Sequence, residues 1–193
     1  SNFSNSNRKM SFLLHQKLDV IWRWLGLLKD ARIVMLGPEN AGKTSILNRL
    51  LRGTFDESIA LTHGMNVETV AHKDLRLCIW DFGRQIIAPS DWHHYLRNTQ
   101  TLIFVVDSTD PSTFEQACSE LHMVLEDALL NVVPLLVLST KCDVEGASSL
   151  MEVSDALKLS TIEARDHCIL STSALTGEGL NEALEWIEKR LET

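Results

Sequence analysis

The sequence is short of the features that mark secreted, membrane-spanning or nucleic-acid-binding proteins. Its four cysteines, Cys78, Cys118, Cys142 and Cys168, are widely spaced and form no CxxC pair. They offer neither a zinc site nor a disulfide framework and fit a reducing, intracellular setting. Cys78 and Cys168 stand in apolar stretches and read as small core residues. No apolar run reaches the roughly 20 residues of a membrane span, and the first residues do not read as a secretory signal. Positive charge is the scarcer sign, with 18 Lys and Arg against 26 Asp and Glu, a formal charge of −8. Phosphate backbones attract basic surfaces, so nucleic acid is not an expected partner. With no internal repeat and no linker, the 193 residues read as one monomeric domain with a sizeable core.

Residues 1–10 are polar and Asn/Ser-rich and read as a disordered tail, native or appended, with Met10 as one possible native start. Over 11–28, Leu14, Leu18, Ile21, Leu25 and Leu28 recur at helical spacing, which predicts an amphipathic N-terminal helix. Residues 29–193 form the main domain. Ala31–Leu36 is a β-branched, apolar strand, and a helix with Ile46, Leu47, Leu50 and Leu51 follows it. Two strands near 65–72 and 75–80 flank a turn at His72-Lys73-Asp74, and 82–98 reads as irregular to helical. Strands at Thr101–Asp107, Val133–Ser139 and His167–Ser171 then alternate with helices at 112–129, 151–159 and 178–191. This alternation predicts an α/β fold with a mostly parallel sheet covered on both faces and one antiparallel edge.

Between the first strand and helix lies Gly37-Pro38-Glu39-Asn40-Ala41-Gly42-Lys43-Thr44, a P-loop pattern. Its glycines let the backbone approach phosphate oxygens, and successive N–H groups at a helix N-terminus cradle negative charge. Lys43 would reach the β- and γ-phosphates and Thr44 would offer its hydroxyl to Mg²⁺. Asp81 ends an apolar strand in Trp80-Asp81-Phe82-Gly83-Arg84-Gln85 and is the second candidate for Mg²⁺. Gln85 is placed to orient a hydrolytic water, and Thr62 to close over Mg²⁺ when a γ-phosphate is present. In Thr140-Lys141-Cys142-Asp143 a carboxylate can accept both the ring N–H and the exocyclic amine of guanine, a pair that adenine lacks. Lys141 would pack its stem along the purine, and Ser173-Ala174-Leu175 would offer an N–H to the guanine oxygen. All these residues fall at carboxyl ends of strands, where open α/β sheets bind ligands.

These stretches resemble a small GTPase of the Arf/Arf-like (ADP-ribosylation factor-like) branch of the Ras superfamily. The resemblance is carried by Gly37–Leu50, Thr62–Val70, Trp80–Gln85, Trp92–Gln100 and Leu102–Asp110, and spans about residues 31–191. It implies a P-loop NTPase fold with a mostly parallel six-stranded sheet. It implies phosphate binding by Gly37, Glu39, Asn40, Ala41, Gly42, Lys43, Thr44 and Ser45, with Gly83 and Arg84 on the γ-phosphate side. Guanine would be read by Thr140, Lys141, Asp143, Ser173, Ala174 and Leu175, and Mg²⁺ held by Thr44, Thr62 and Asp81. The catalytic residues would be Gln85, Lys43 and Thr62. Residues 55–64 and 82–95 would be the two switches, and the strands between them would shift register between GDP and GTP states. Met65, Trp80 and Tyr95 would line an effector-reading patch, or else pack in the core. The implied activity is slow GTP hydrolysis, on the order of 10⁻⁴ s⁻¹ without help. Exchange factors, GAPs and effectors would be the partners, in membrane traffic or organelle- or cilium-type transport. A cytoplasmic protein in reversible contact with an intracellular membrane is expected. An ATP-using P-loop kinase fits less well, since Asp143 argues for guanine.

Four positions depart from the family pattern. Arg84 stands where a glycine amide meets the γ-phosphate; it weakens the GTP state, reaches phosphate oxygens itself, or points harmlessly to solvent. A non-switching, nucleotide-bound interaction module is therefore the rival reading. Thr140 replaces the usual Asn, as in Rho-type GTPases, and Leu61 replaces the proline before the switch threonine. Met10 is followed by Ser11 rather than by a myristoylation glycine, and the sequence closes on Leu191-Glu192-Thr193 without a CaaX box. The helix over 11–28 would then insert as an amphipathic anchor or dock on the domain. His93-His94 lacks a third metal ligand, and Glu115, Glu120, Glu126 and Asp127 read as a solvated face.

Overall fold

Six apolar segments form the strands β1 (Lys29–Leu36), β2 (Met65–His72), β3 (Leu75–Phe82), β4 (Thr101–Asp107), β5 (Leu135–Thr140) and β6 (His167–Ser171). They lie in one sheet in the order β2-β3-β1-β4-β5-β6. A computed structural model describes residues 29–55, 65–73, 75–82, 93, 95–163 and 165–191 of the chain. All neighbouring strands run parallel except β2 and β3, which pair antiparallel from Met65↔Phe82 to His72↔Leu75. The helices are α1 (Lys43–Arg52), α2 (Phe114–Leu125), α3 (Leu150–Ala156) and α4 (Leu180–Leu191).

The residue pattern explains the layering. In a parallel sheet with helices on both faces, each strand presents side chains to two cores, so inner strands read as continuous apolar runs. In β1, Val34 and Leu36 join Phe104 and Val106 of β4 beneath α2 and α3, where Ala117, Leu121 and Val153 meet them. Ile33 and Met35 point the other way and join Ile79, Val105 and Leu138 beneath α1 and α4. On α4, Leu180, Leu184 and Ile187 are buried, as their helical spacing predicts. Trp186 packs partly against this core with Arg190 over its ring, 4.0 Å from the centroid.

Local chemistry moves several boundaries. The helix expected over 112–129 is three pieces, because Asp110 and Asp127 each accept a backbone N–H two residues on and start separate 3₁₀ turns at Pro111–Thr113 and Ala128–Leu130. The strand expected from Val133 begins at Leu135, after Pro134, which has no N–H to give a ladder. Helix α3 spans Leu150–Ala156 rather than 151–159; a capping box of Ser149 and Glu152 starts it and a 3₁₀ turn at Leu159–Thr161 follows. Asp127, just beyond α2, also pairs with His93, 2.8 Å from Nδ1, so the acidic residues expected on a solvated face do not all stand free in solvent. All four cysteines are free thiols and half-buried, with Cys168 packed against the second core. The N-terminal helix expected over 11–28 lies outside the described residues. Among the described residues no helix is long and apolar enough to cross a membrane.

Candidate functional site

The loop between β1 and α1 is shaped by close approach. Gly37 has φ +141°, and a Cβ there would sit 2.1 Å from the carbonyl oxygen of Val105 in β4. Only glycine fits, so the first glycine of the motif is fixed by the neighbouring strand as well as by any phosphate. Asn40 follows at φ 62° and Gly42 at φ 92°. Gly42 is the N-cap of α1 and supplies no side-chain acceptor, and the first turn of the helix holds no acidic residue. A helix start with no side-chain cap and no acidic residue suits an incoming anion.

Lys43 is almost fully buried, and its ammonium donates to the carbonyl oxygens of Gly37 and Pro38, both at 2.8 Å. Burial lowers its pKa, while the charges of Asp81, Glu120 and Glu39 oppose that shift. The next residue reaches toward β3. Thr44 Oγ1 donates to Asp81 Oδ2 at 2.5 Å. Asp81 is 0 % exposed, and its Oδ1 has no hydrogen-bond partner among the described residues. Burial pushes this carboxyl above the usual carboxylate range, against the pull of the Thr44 hydrogen bond and the Lys43 charge. A buried carboxylate oxygen left without a donor is unfavourable by itself. It fits a divalent cation that takes oxygen ligands, and Thr44 and Asp81 are the described residues that would hold it.

The base side is built at the ends of β5 and β6. Thr140 Oγ1 lies 2.7 Å from the carbonyl oxygen of Ala41 and 3.1 Å from that of Val106, so it ties the phosphate loop to β4 and β5. A hydroxyl is enough for this link, which accounts for a threonine where the family has Asn. Lys141 adopts φ 60° and pairs its ammonium with Asp107. Asp107 is held in turn by the backbone N–H and hydroxyl of Thr109, at 2.9 and 2.7 Å. Asp143, two residues after Lys141, is exposed. The Cys142 N–H donates to the Thr172 carbonyl and the Thr172 N–H to the Ser139 carbonyl, so the two base loops are joined by backbone. Ser173 is buried, Ala174 half-buried and Leu175 exposed.

The described residues of the expected site thus converge on one edge of the sheet: Gly37 to Ser45, Asp81, Thr140, Lys141, Asp143 and Ser173 to Leu175. Thr62, Gly83, Arg84 and Gln85 lie outside the described residues. Asp107 was missed by sequence reasoning, although a carboxylate ending an apolar strand in such a sheet is itself a signal. On the opposite side of β3, the Arg32 guanidinium lies 3.6 Å from the Trp80 ring centroid and donates to the Tyr95 carbonyl at 2.7 Å. Trp80 and Tyr95 pack partly against the core, whereas Met65 is 43 % exposed.

The family profile described as the ADP-ribosylation factor family matches residues 18–191. The chain belongs to this family. As an ADP-ribosylation factor family member it is a small GTPase, a GTP-binding GTP hydrolase. ADP-ribosylation factor-like protein 1 of Saccharomyces cerevisiae is 40% identical over 178 residues, covering 92% of this chain and 95% of that protein. ADP-ribosylation factor 1 of Brassica rapa subsp. pekinensis is 41% identical over 165 residues, covering 86% of this chain and 90% of the relative. Among solved structures, the Arl6 BBS3 small GTPase from Trypanosoma brucei with bound nucleotide analogue GppNp superposes with a TM-score of 0.75 at 28% identity. That match covers 83% of this chain and 96% of the other.

Proposed function

We propose that this ADP-ribosylation factor family GTPase is a guanine-nucleotide switch that binds GDP and GTP with Mg²⁺, hydrolyses GTP slowly and recruits effectors in its GTP form. The observation that carries the reading is the corner made by Thr44, Asp81 and the uncapped start of α1: a fully buried carboxylate with one oxygen on a hydroxyl and the other unpartnered. Residues Gly37, Glu39, Asn40, Ala41, Gly42, Lys43, Thr44 and Ser45 would hold the phosphates, and Gly83 and Arg84 would serve the γ-phosphate. Thr44, Thr62 and Asp81 would hold Mg²⁺, which when bound neutralises phosphate charge. Lys43 exchanges its two carbonyl acceptors for phosphate oxygens, Gln85 orients the attacking water, and Thr62 closes over the site. Thr140 braces the phosphate loop, Lys141 lines the purine, Asp143 accepts from its ring N–H and amine, and Ser173, Ala174 and Leu175 meet its oxygen. An exchange factor, a GAP and effectors are the partners. Residues 11–28 supply peripheral membrane contact in membrane traffic or organelle- or cilium-type transport.

The test is equilibrium binding of GDP and ADP to nucleotide-free protein, with and without Mg²⁺. GDP is expected to bind and ADP not. Asp143→Ala is expected to weaken GDP by at least about tenfold, because buried donors of the base lose a charged acceptor. Chelating Mg²⁺ should weaken GDP binding in the wild type and much less in Asp81→Asn. Equal affinity for ADP and GDP would overturn the guanine assignment. Arg84 favours a second reading, a nucleotide-bound module that does not switch, and the GTP-analogue comparison below separates the two.

A further inference from the structure

The loop that follows β6 is fixed in two distinct ways. Its shape is set internally: the Gly177 N–H donates to the Ser173 carbonyl at 2.9 Å, the Thr176 N–H to Ser173 Oγ at 3.1 Å, and the Glu178 N–H to Thr176 Oγ1 at 3.2 Å. Its placement against the phosphate-binding helix is set from outside. Arg49, near the end of α1, donates from its guanidinium to the Thr176 carbonyl at 3.1 Å. The same group lies over Gly177, whose φ is +88°; a Cβ there would come within 3.0 Å of the Arg49 Nη2 atom. The glycine lets the loop take this conformation and lets the planar guanidinium settle against its backbone. One helix therefore presents its N-terminus to the phosphates and, two turns on, holds the tip of the loop that ends Ser173-Ala174-Leu175.

We propose that Arg49 is a positioning residue for guanine recognition: by holding Thr176 and Gly177 it sets the distance between the phosphate cradle and the backbone N–H that meets the guanine oxygen. This rests on the assignment of residues 173–175 to that oxygen. The internal bonds keep the loop's shape, and β6 with the backbone link from Cys142 to Thr172 places its start, whereas a hydrogen bond from a charged group ties its tip to α1. Base and phosphate are parts of one rigid-ringed ligand bound at both ends. A small displacement of the loop therefore falls on the contact to the base oxygen and not on those to the exocyclic amine, which Asp143 reads from the loop after β5.

The experiment compares equilibrium affinities for GDP, 6-thioguanosine diphosphate and inosine diphosphate, with Mg²⁺, in wild type, Arg49→Met and Arg49→Lys. The thio analogue keeps the ring N–H and amine but offers sulfur, a poor acceptor, in place of the oxygen; the inosine analogue keeps the oxygen and lacks the amine. Wild type should prefer GDP over the thio analogue. Arg49→Met, which keeps an apolar stem without donors, should weaken GDP and inosine diphosphate by about tenfold and the thio analogue hardly at all. The preference for oxygen over sulfur then collapses while that for amine over hydrogen stays. Arg49→Lys, with a donor restored, should recover part of the lost preference. Equal weakening of all three nucleotides, or no change in any, would overturn the proposal and leave Arg49 a structural residue. A wild type that binds GDP and the thio analogue alike would instead remove residues 173–175 from oxygen recognition, and the proposal would fall with that assignment. Should Arg49→Met not fold, Gly177→Ala displaces the guanidinium from the other side, and an unchanged oxygen preference there would equally overturn the proposal.

Discussion

At one end of the sheet, β4 and β5 lie between helices and bury every residue except Asp107 at the tip of β4. At the other end, β2 alternates, with Met65, Val67, Thr69 and Ala71 exposed and only Val70 buried. The buried strands carry Thr140, Lys141 and Asp107 at their carboxyl ends, so the loops that would grip a nucleotide hang from strands buried on both faces. The β2–β3 pair is hydrogen-bonded to the rest of the sheet along one parallel seam, β3 on β1; Val70, Leu77 and Ile79 pack into the core beneath α1 and α4, and at its turn Lys73 pairs with Glu188 of α4 at 2.6 Å. A switch needs both kinds of strand: buried ones that hold the ligand and an exposed edge strand, paired on one side only, whose position the ligand can alter.

Three experiments sharpen this contrast, beginning with the strongest. Gly37→Ala places a methyl group 2.1 Å from the Val105 carbonyl, at a φ that alanine resists. We expect purified Gly37→Ala to carry no nucleotide and to unfold far below the wild type; nucleotide content and a thermal melt both read this. The second is a matched pair. Phe104→Ala, in a fully buried strand, should destabilise by about 3–5 kcal/mol, whereas Val67→Ala, 39 % exposed on β2, should stay below about 1 kcal/mol in denaturant unfolding. Similar losses at the two sites would erase the difference between the sheet's ends. The smallest effect concerns the tether. The Lys73 hydrogen bond and charge, with His72 beside them, hold the Glu188 carboxyl below its usual range. The folded pKa is depressed, so this stabilisation is present above the ordinary glutamate range, near 4.5, and lost as pH falls through the lowered value. Lys73→Ala should therefore lower the melting temperature slightly at neutral pH and converge with wild type in acid. A constant offset at all pH values would assign the loss to something other than this pair.

The sequence made the buried end of the sheet readable because burial on both faces leaves long apolar runs, and the P-loop readable because its residue types are dictated by phosphate chemistry. What escaped it depends on contacts between distant residues. The close approach of Gly37 to Val105, the pairing of Lys141 with Asp107 and the grip of Arg49 on Thr176 join residues remote in sequence, and no local pattern announces them. The split of 112–129 failed for the opposite reason: its helical periodicity was real, but Asp110 and Asp127 offered their own backbone acceptors and won locally. The Thr140 substitution shows the middle case, since its tolerance was legible from residue chemistry while its two carbonyl partners were not.

The most direct test of the switch is the binding of GDP and of a non-hydrolysable GTP analogue, with Mg²⁺, to wild type and Arg84→Gly, followed by tryptophan emission from Trp80 and Trp92. The account predicts that wild type binds both nucleotides tightly and that its emission differs between them. A wild type that binds GDP alone, with the GTP analogue recovered only in Arg84→Gly, would contradict it and make the chain a fixed, nucleotide-bound module.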